Sequence, residues 1–543
     1  MFNTLNMSYD KGTQSTPSVG TGPEFILSTG TGFDEIAKTG AHFFEQGDTS
    51  KVFTVKDDLT LRRGDHTLKI GGQLAVMDLS RTVNDHFNGS YYFVNPGAVP
   101  SFDPATAVPY GARVNLTPTA TLSAKDTQFG LYVQDEWKPD EHWTFNLGLR
   151  WDFESNTNNN NYITPTAIAN ALRAYPGWRA NGIDPADYIS TGNNRKPQWD
   201  MFQPRLGFSY DVKGDRDIII FGGAGRYFDR SLFIEGVIES LTNSNKVVTV
   251  PFCSATVTSG CVNFTNAMRD TPTLRTAATP LFPGGGSVFL LNNETSMPYS
   301  DQFDLGIRKR FGAVQASVTL SHIRSHNIFQ FARANFFENG WYSRFVTRDA
   351  AGNVTGCTDG GRNWIQDFSP NGLSNGNGSA VSTAICAAQN AQLAGFSGKL
   401  NRGVSYGKSR YTALYFSLEK PFTDLSRWGF TSALTVQWAK SNVAQELNND
   451  EFFNGADQTG FGWQKVNGVE DWRLVTTGNF RAPWDVTLSG TMVLSSGPRF
   501  GSVQAPWNGG PPAPDGACCY GNFGGPLSPK SFIGYKRFDL RVA

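Results

Sequence analysis

Residues 143–153 read WTFNLGLRWDF, and apolar and polar side chains alternate along them without a break. Every second residue is apolar, in the order Trp143, Phe145, Leu147, Leu149, Trp151 and Phe153. Successive side chains of a β-strand point to opposite faces, so this segment is predicted to be a strand with one apolar and one polar face. Such a strand suits a wall with lipid on one side and water on the other.

The same two-faced pattern recurs along the chain. It is clear in RWGFTSALTVQWA (427–439) and in WDVTLSGTMVL (484–494), and weaker copies begin at His66, Arg205 and Val314. Tryptophan repeatedly stands at the end of these segments, where the interfacial aromatic girdles of a membrane barrel are found. The repetition predicts a large sheet made of similar strands.

The spacing of the strands separates a membrane barrel from a soluble sandwich. Six hairpins with tight turns are predicted, 51–61 with 66–78, 125–138 with 142–154, 203–212 with 216–228, 299–311 with 313–325, 410–422 with 427–441, and 471–482 with 484–497, before a last strand near Ile533. The stretches between hairpins far exceed the roughly 4 to 6 residues usual in globular proteins. The predicted fold is therefore an all-β, antiparallel transmembrane β-barrel with short periplasmic turns and long extracellular loops.

The long stretches are predicted to be loops because they are rich in turn residues and lack alternation. Two of them contain apolar spacing that allows a short helix, 166–175 and 382–395. Helices of this length are expected to decorate the surface.

Composition excludes several functional classes. Lys and Arg number 47 and Asp and Glu number 47, so the chain lacks the positive balance that favours nucleic acid, and no nucleic-acid partner is expected. Aromatic residues reach 13%, charged residues only 17%, and Gly numbers 58, as in proteins made of many strands and turns. No apolar run approaches the roughly 18 to 20 residues of a membrane-spanning helix, so any crossing must be made by strands.

A search for catalytic motifs favours a protein that is not an enzyme. The GxSxG string occurs at 372–376 and at 403–407, but neither copy lies between a strand and a helix as a nucleophile elbow does. The histidines are scattered, and the cysteine spacings match no structural zinc pattern. We therefore predict no catalytic residue, no metal site and no cofactor.

The six cysteines all fall in the predicted loops, two in each of three loops. We expect them to form disulfides within each loop, Cys253 with Cys261, Cys357 with Cys386, and Cys518 with Cys519, as an oxidising compartment allows. Zinc binding is the competing interpretation. Bridging the adjacent pair would strain the intervening peptide.

Charged residues on the polar face of the predicted strands are the candidate functional side chains. A basic residue that faced lipid would cost about 2–4 kcal/mol at the membrane midplane, so these residues are expected to line the lumen. They are Arg150, Asp152, Arg205, Asp211, Arg226, Asp304, Arg308, Glu419 and Arg473. As a set they predict a solute path or a surface that grips a plug, while paired charges solvated by the lumen remain the simpler explanation for any one of them.

Several segments resemble TonB-dependent outer-membrane receptors, especially the Oar-like group. They are FGLYVQDEWKPDEHWTFNLGLRWDF (129–153), QPRLGFSYDVKGDRDIIIFGGAGRYFDR (203–230), PYSDQFDLGIRKRFG (298–312) and the terminal FDLRV. The resemblance implies a 22-stranded barrel with an amino-terminal plug, located in the bacterial outer membrane. It also implies energised uptake of a bulky extracellular ligand, with outer-membrane lipid and a TonB-type energy-transducing protein as partners.

The resemblance divides the chain unevenly. Residues 51–543 correspond to the barrel, whereas residues 1–50 form a poorly defined segment that is either a loop or a strand of the same barrel. No basic start or apolar stretch of a signal peptide opens the sequence. We therefore expect a truncated barrel, part of a longer chain that also carries a signal, a plug and the TonB-contact region, and we expect this part alone not to insert as a working pore.

Two other functions stay open at this point. One is an outer-membrane barrel used for structure or adhesion without transport, since fold alone does not determine function. The other is a secreted soluble β-protein that binds carbohydrate through exposed Trp and Tyr. The sequence does not identify the ligand.

Overall fold

A computed structural model provides the three-dimensional structure of the chain. It describes residues 1–18, 20, 22–28, 35–94, 102–117, 121–175, 178, 183–229, 234–282, 286–333, 345–348, 354–358, 393–396, 400–442, 463–466, 468–498 and 531–543. Within these ranges, each helix is too short or too polar to span a bilayer.

Strands dominate the described residues. In chain order they are β1 (Phe2–Thr16), β2 (Glu24–Ser28), β3 (Ala37–Gly40), β4 (Phe44–Arg63), β5 (His66–Asp85), β6 (Ser90–Val94), β7 (Gly111–Asn115), β8 (Thr121–Trp137), β9 (Trp143–Glu154), β10 (Met201–Asp211), β11 (Ile218–Phe228), β12 (Val247–Pro251), β13 (Val288–Leu291), β14 (Tyr299–Phe311), β15 (Val314–Arg333), β16 (Phe345–Arg348), β17 (Val354–Thr358), β18 (Leu400–Lys420), β19 (Trp428–Ser441), β20 (Gln464–Lys465), β21 (Trp472–Arg481), β22 (Thr487–Ser495) and β23 (Tyr535–Val542). The helices are α1 (Thr166–Ala174), α2 (Ile234–Ser244) and α3 (Thr271–Ala278).

One large antiparallel sheet forms the wall. Its strands follow one another in the order β1-β4-β5-β8-β9-β10-β11-β14-β15-β18-β19-β21-β22-β23. All six predicted hairpins are present, as β4–β5, β8–β9, β10–β11, β14–β15, β18–β19 and β21–β22. The predicted all-β antiparallel class is thus confirmed, and the residues that alternate in the sequence are the ones that form the ladder.

Several strands extend beyond their predicted ends. β5 continues to Asp85 and β18 begins at Leu400, although alternation predicted ends near 78 and 410. β1 lies inside the segment that the sequence left undefined, and it pairs with β4 along its whole length. The added parts of β5 and β18 are polar or mixed on both faces and carry no period-two signal. In β1, by contrast, the exposed Leu5, Met7 and Tyr9 alternate with polar residues and lie on the same face as Val55 and Phe53 of β4.

Cross-strand register gives the sheet two chemically distinct faces. Leu147 of β9 lies opposite Leu206 of β10, which lies opposite Ala224 of β11. Ala224 in turn lies opposite Phe303 of β14. These residues share one side of the sheet, which we call the apolar face. Large apolar side chains on it are exposed to the surroundings, for example Leu149 at 45%, Leu206 at 57%, Leu305 at 54% and Leu320 at 44%. The opposite side, with Arg150 and Gln203 in register, is the polar face. An exposed apolar band of this extent is what a lipid-facing wall requires.

The two ends of the sheet are open edges within the described residues. There β1 pairs with β4 and β23 pairs with β22, and these two edge strands do not pair with each other. Over the described residues the sheet is therefore an open wall rather than a closed barrel, and the predicted number of 22 strands stays a prediction.

A second sheet forms from the long connections between wall strands. Its order is β12-β7-β6-β2-β3, so three separate connections contribute to it. Tyr91, Phe93 and Val250 are buried in its core, which α3 covers with Leu274. The Tyr91 hydroxyl donates to the Met268 carbonyl at 2.5 Å, and burial raises the pKa of Tyr91 to about 12, which keeps this donor neutral.

A second cluster of buried side chains lies around α1. The helix was predicted at 166–175 and is present at Thr166–Ala174, but it is not a surface decoration. Ile168 and Leu172 are fully buried against Trp178 and Tyr188. The expectation was wrong because the cluster around α1 also includes Val288, Leu290 and Leu400 from distant parts of the chain, which a local pattern does not reveal. Residues 382–392 of the second predicted helix lie outside the described residues.

Candidate functional site

A network of polar side chains lies on the polar face of β9, β10 and β11. Arg150 and Asp152 form a two-point ion pair, with Nε to Oδ2 at 2.8 Å and Nη2 to Oδ1 at 2.6 Å. The Gln203 amide donates to Asp152, and Arg205 donates to Gln203 Oε1 at 3.2 Å. The guanidinium of Arg205 also lies 4.6 Å from the centre of the Tyr227 ring. The network is thus continuous over three strands.

A second group lies on the same face, on β4 and β8. The Tyr132 hydroxyl donates to Asp58, and Lys56 Nζ lies 2.8 Å from Asp58 Oδ2. This second group lines a groove of about 630 Å³, together with Lys69 and with Arg150 and Arg205 of the first network. The groove therefore offers cations, carboxylates and hydroxyl groups to a solute that reaches it from water.

Glycines make room for these large side chains. A Cβ on Gly71 would lie 2.5 Å from Cε1 of Tyr132, and a Cβ on Gly130 would lie 2.4 Å from Nη2 of Arg150. Both glycines are in register with the side chain that covers them, Gly71 with Tyr132 and Gly130 with Asp152. The groups keep their positions because the wall beneath them has no side chain.

We expect Gly71→Ala to destabilise the wall by about 1–3 kcal/mol, because the new methyl group displaces the Tyr132 ring. The matched control is Gly72→Ala on the apolar face, where a Cβ would meet Leu131 Cδ2 only at 3.3 Å. Urea unfolding of the full chain in lipid vesicles measures both. Equal unfolding midpoints for the two variants would contradict the packing seen over Gly71.

The remaining candidates lie elsewhere on the wall. By register Asp304, Arg308 and Glu419 share the polar face, and so does Arg473, which pairs with Glu470 at 3.1 Å. No hydrogen bond or ion pair in the described ranges joins them to the Arg150 network. Their predicted role as lumen lining stays a prediction.

Asp211 closes a turn. Its carboxylate accepts backbone N–H groups of Gly214 at 3.1 Å and Arg216 at 2.8 Å in the β10–β11 connection. The Asp211 carbonyl in turn accepts from His142 Nδ1 at 2.6 Å, which raises the pKa of that histidine. These contacts make Asp211 a structural residue of the turn end.

The prediction for Arg226 needs correction. Arg226 is in register with Asp301, on the same face as Ala224 and Phe303, which is the apolar face. It forms an ion pair with Asp301 at 2.7 Å and lies 4.5 Å from the centre of the Tyr299 ring. The error arose in the run FGGAG (221–225), where small residues give no indication of which face is which.

Cys253 and Cys261 form a disulfide directly after β12. The Cys357 side chain, and the residues Cys386, Cys518 and Cys519, lie outside the part of the chain that the structure describes. Their pairing stays a prediction.

Sequence reasoning missed a buried ion pair in the connections between wall strands. Arg195 and Glu239 have no exposed side-chain surface and join at 2.7 and 2.8 Å. Arg195 also donates to the carbonyls of Asn158 and Leu291, at 3.1 and 3.0 Å. Glu239 accepts from the Leu291 N–H at 2.9 Å. The pair therefore connects the β9–β10 connection with α2 and β13. No short sequence motif indicates this contact.

Comparison with known families decides what this wall is. A model described as "Outer membrane beta barrel domain" matches residues 2–498. The chain belongs to the outer-membrane β-barrel domain family. As a member of that family, it is located in the outer membrane, and its apolar face is the lipid-facing one. The predicted location is thereby confirmed. No curated protein matches the sequence.

Solved structures are similar to this outer-membrane barrel protein at low sequence identity. The outer membrane transporter YddB from Escherichia coli is 12% identical with a TM-score of 0.51, over 93% of this chain and 50% of that one. The siderophore receptor PirA from Acinetobacter baumannii is 10% identical with a TM-score of 0.45, over 99% of this chain and 53% of that one. The chain spans about half the length of these structures.

Proposed function

We propose that the chain is the wall of an outer-membrane receptor for TonB-dependent uptake of a bulky extracellular ligand, and that it catalyses no covalent chemistry. The observation that carries the proposal is the groove on the polar face, with the Arg150 network and the Asp58 group along it. Charges held in fixed positions on a water-facing surface recognise polar solutes through charge-assisted hydrogen bonds.

The resemblance of residues 129–153 and 203–230 to TonB-dependent receptors supports the energised mechanism. The Oar-like group is the proposed subgroup, and a TonB-type protein is the proposed partner through an amino-terminal region with a plug. The folded layer of connections, with its own sheet and buried cores, supports recognition of the ligand outside the membrane. We propose that residues 1–50 belong to the same barrel as residues 51–543, because β1 pairs with β4 along its whole length.

Depletion of solutes from the growth medium tests the proposal and does not require the ligand to be identified beforehand. Cells with the gene, cells without it, and cells without the TonB-type protein are grown in the same complex medium, and the spent media are compared by mass spectrometry. We expect at least one solute to be depleted only when both proteins are present. Identical spent media would favour a structural or adhesive barrel.

Removing two positive charges from the groove is expected to slow this uptake. The double variant Arg150→Gln and Arg205→Gln removes two charged donors, each worth about 1.5–3 kcal/mol to a bound anion or carbonyl, so uptake should fall at least about tenfold. Lys213→Gln, in an exposed turn, is the matched control. The amount of barrel in the membrane, measured by immunoblot, should be unchanged, and undiminished uptake by the double variant would exclude the groove from the path.

A further inference from the structure

Four cations stand side by side on the apolar face, near the end of the wall that carries the long connections. Arg324 of β15 is in register with Arg410 of β18, Arg410 with Lys440 of β19, and Lys440 with Lys465 of β20. All four residues are exposed. We call these residues the cationic row.

The cationic row is not explained by the stability of the wall. Like charges directly opposite each other on neighbouring strands are destabilising. In the described ranges no carboxylate forms an ion pair with any of the four. Asp301 is in register with Arg324, but its ion pair is with Arg226. Among the described residues, Asp301 is the one carboxylate in register with the row, so anions from outside the chain would offset the repulsion that remains.

The position of the row identifies where those anions come from. Arg324 lies four residues beyond the exposed Leu320, and Lys440 lies two residues beyond the exposed Trp438. Outward apolar residues mark the hydrocarbon region, so residues this close to its end lie at the depth of lipid headgroups. A soluble protein partner would not reach this depth without displacing lipid.

The chemistry of the row fits phosphate. The guanidinium of Arg410 lies 3.7 Å from the centre of the Trp463 ring, and Arg324 Nε donates to His322 Nε2 at 3.0 Å, so both side chains are held in place. A guanidinium presents a planar set of donors that binds a phosphate group with two hydrogen bonds. Successive strands are about 4.8 Å apart, so the row is wide enough to contact more than one phosphate of a single headgroup.

We propose that the cationic row binds the phosphorylated headgroup of an outer-leaflet lipid, whose acyl chains lie along the exposed leucines below it. The proposal rests on the location of the protein in the outer membrane and not on the proposed uptake function. The lipid class is one with at least two phosphate groups on its headgroup. The bound lipid would stay fixed at the end of the wall that carries the long connections.

Native mass spectrometry of the full chain in detergent, titrated with diphosphorylated lipid A, tests the proposal. Removing three cations with Arg324→Gln, Arg410→Gln and Lys440→Gln is expected to weaken lipid binding on the order of 100-fold, since each basic residue near a membrane surface contributes about 1 kcal/mol. The matched control is Arg62→Gln, Arg63→Gln and Lys138→Gln, three exposed cations at the turn end. The control should bind as the original chain does.

Each further outcome decides for or against the proposal. Equal binding by the triple variant and the original chain, or equal loss in the control, would overturn it. Competition by inorganic phosphate at low millimolar concentration would assign the row to a soluble anion instead of a lipid. If the triple variant fails to assemble, the single variant Arg410→Gln is used, and about fivefold weaker binding supports the proposal while unchanged binding refutes it.

Discussion

Replacing Arg195 by methionine is expected to destabilise the folded connections by about 3–5 kcal/mol, because Glu239 then keeps a buried charge without its partner. Both side chains are fully buried, and the pair holds α2 and β13 to the β9–β10 connection. Amide hydrogen exchange of α2 and β13 in the full chain measures the effect. Exchange at these amides should accelerate at least about 100-fold, while the wall strands keep their protection.

Two comparisons make this prediction specific. The double variant Arg195→Met and Glu239→Leu removes both charges together, and it should recover much of the lost stability because no charge is left unpaired. Lys213→Met breaks an exposed pair with Asp217 at 3.4 Å and should cost less than about 1 kcal/mol. If Arg195→Met left exchange unchanged, the ion pair would not be holding these segments together.

The second large effect is expected from Leu147→Arg. Leu147 lies halfway between Trp143 and Trp151 on β9, on the apolar face, and 41% of it is exposed. An arginine near the middle of the lipid-facing band costs about 2–4 kcal/mol. The amount of protein assembled in the outer membrane, read from heat-modifiable migration on a gel, should therefore fall sharply.

The adjacent residue provides the matched control for Leu147→Arg. Asn146 lies on the polar face, where it lines the groove and is in register with Glu136 of β8. Asn146→Arg thus adds the same side chain one residue away, beside water and a carboxylate, and assembly should be nearly normal. Equal assembly of both variants would contradict the assignment of the two faces.

The wall was predictable because its two environments leave a local pattern. Lipid on one side and water on the other select alternate residues, so WTFNLGLRWDF and its copies specify strand, face and hairpin independently of any distant contact. The pattern fails where that contrast disappears. Both faces are polar or mixed in the added parts of β5 and β18, and glycines between Phe221 and Arg226 give no indication of the face on which Arg226 lies. The sequence alone therefore missed these strand extensions and misplaced Arg226.

The charged groups were predictable as a set but not as contacts. Arg150 and Asp152 lie two residues apart on one strand, and alternation already places them on one face. Gln203 joins them only because β10 pairs with β9 in one register out of many. Register depends on the packing of whole strands against each other, which no short segment contains.

By itself, the sequence determined the class of fold, the hairpins, the outer-membrane location and the face on which most charges lie. Only the tertiary structure decided that Arg195 meets Glu239, that five short strands from three connections form a second sheet, and that four cations line up at the edge of the lipid-facing band. The physical reason is the range of the interactions. The difference between lipid and water selects alternate residues along a single strand, so it appears in the local sequence pattern. The contacts that the sequence did not predict join segments that meet only after the chain has folded.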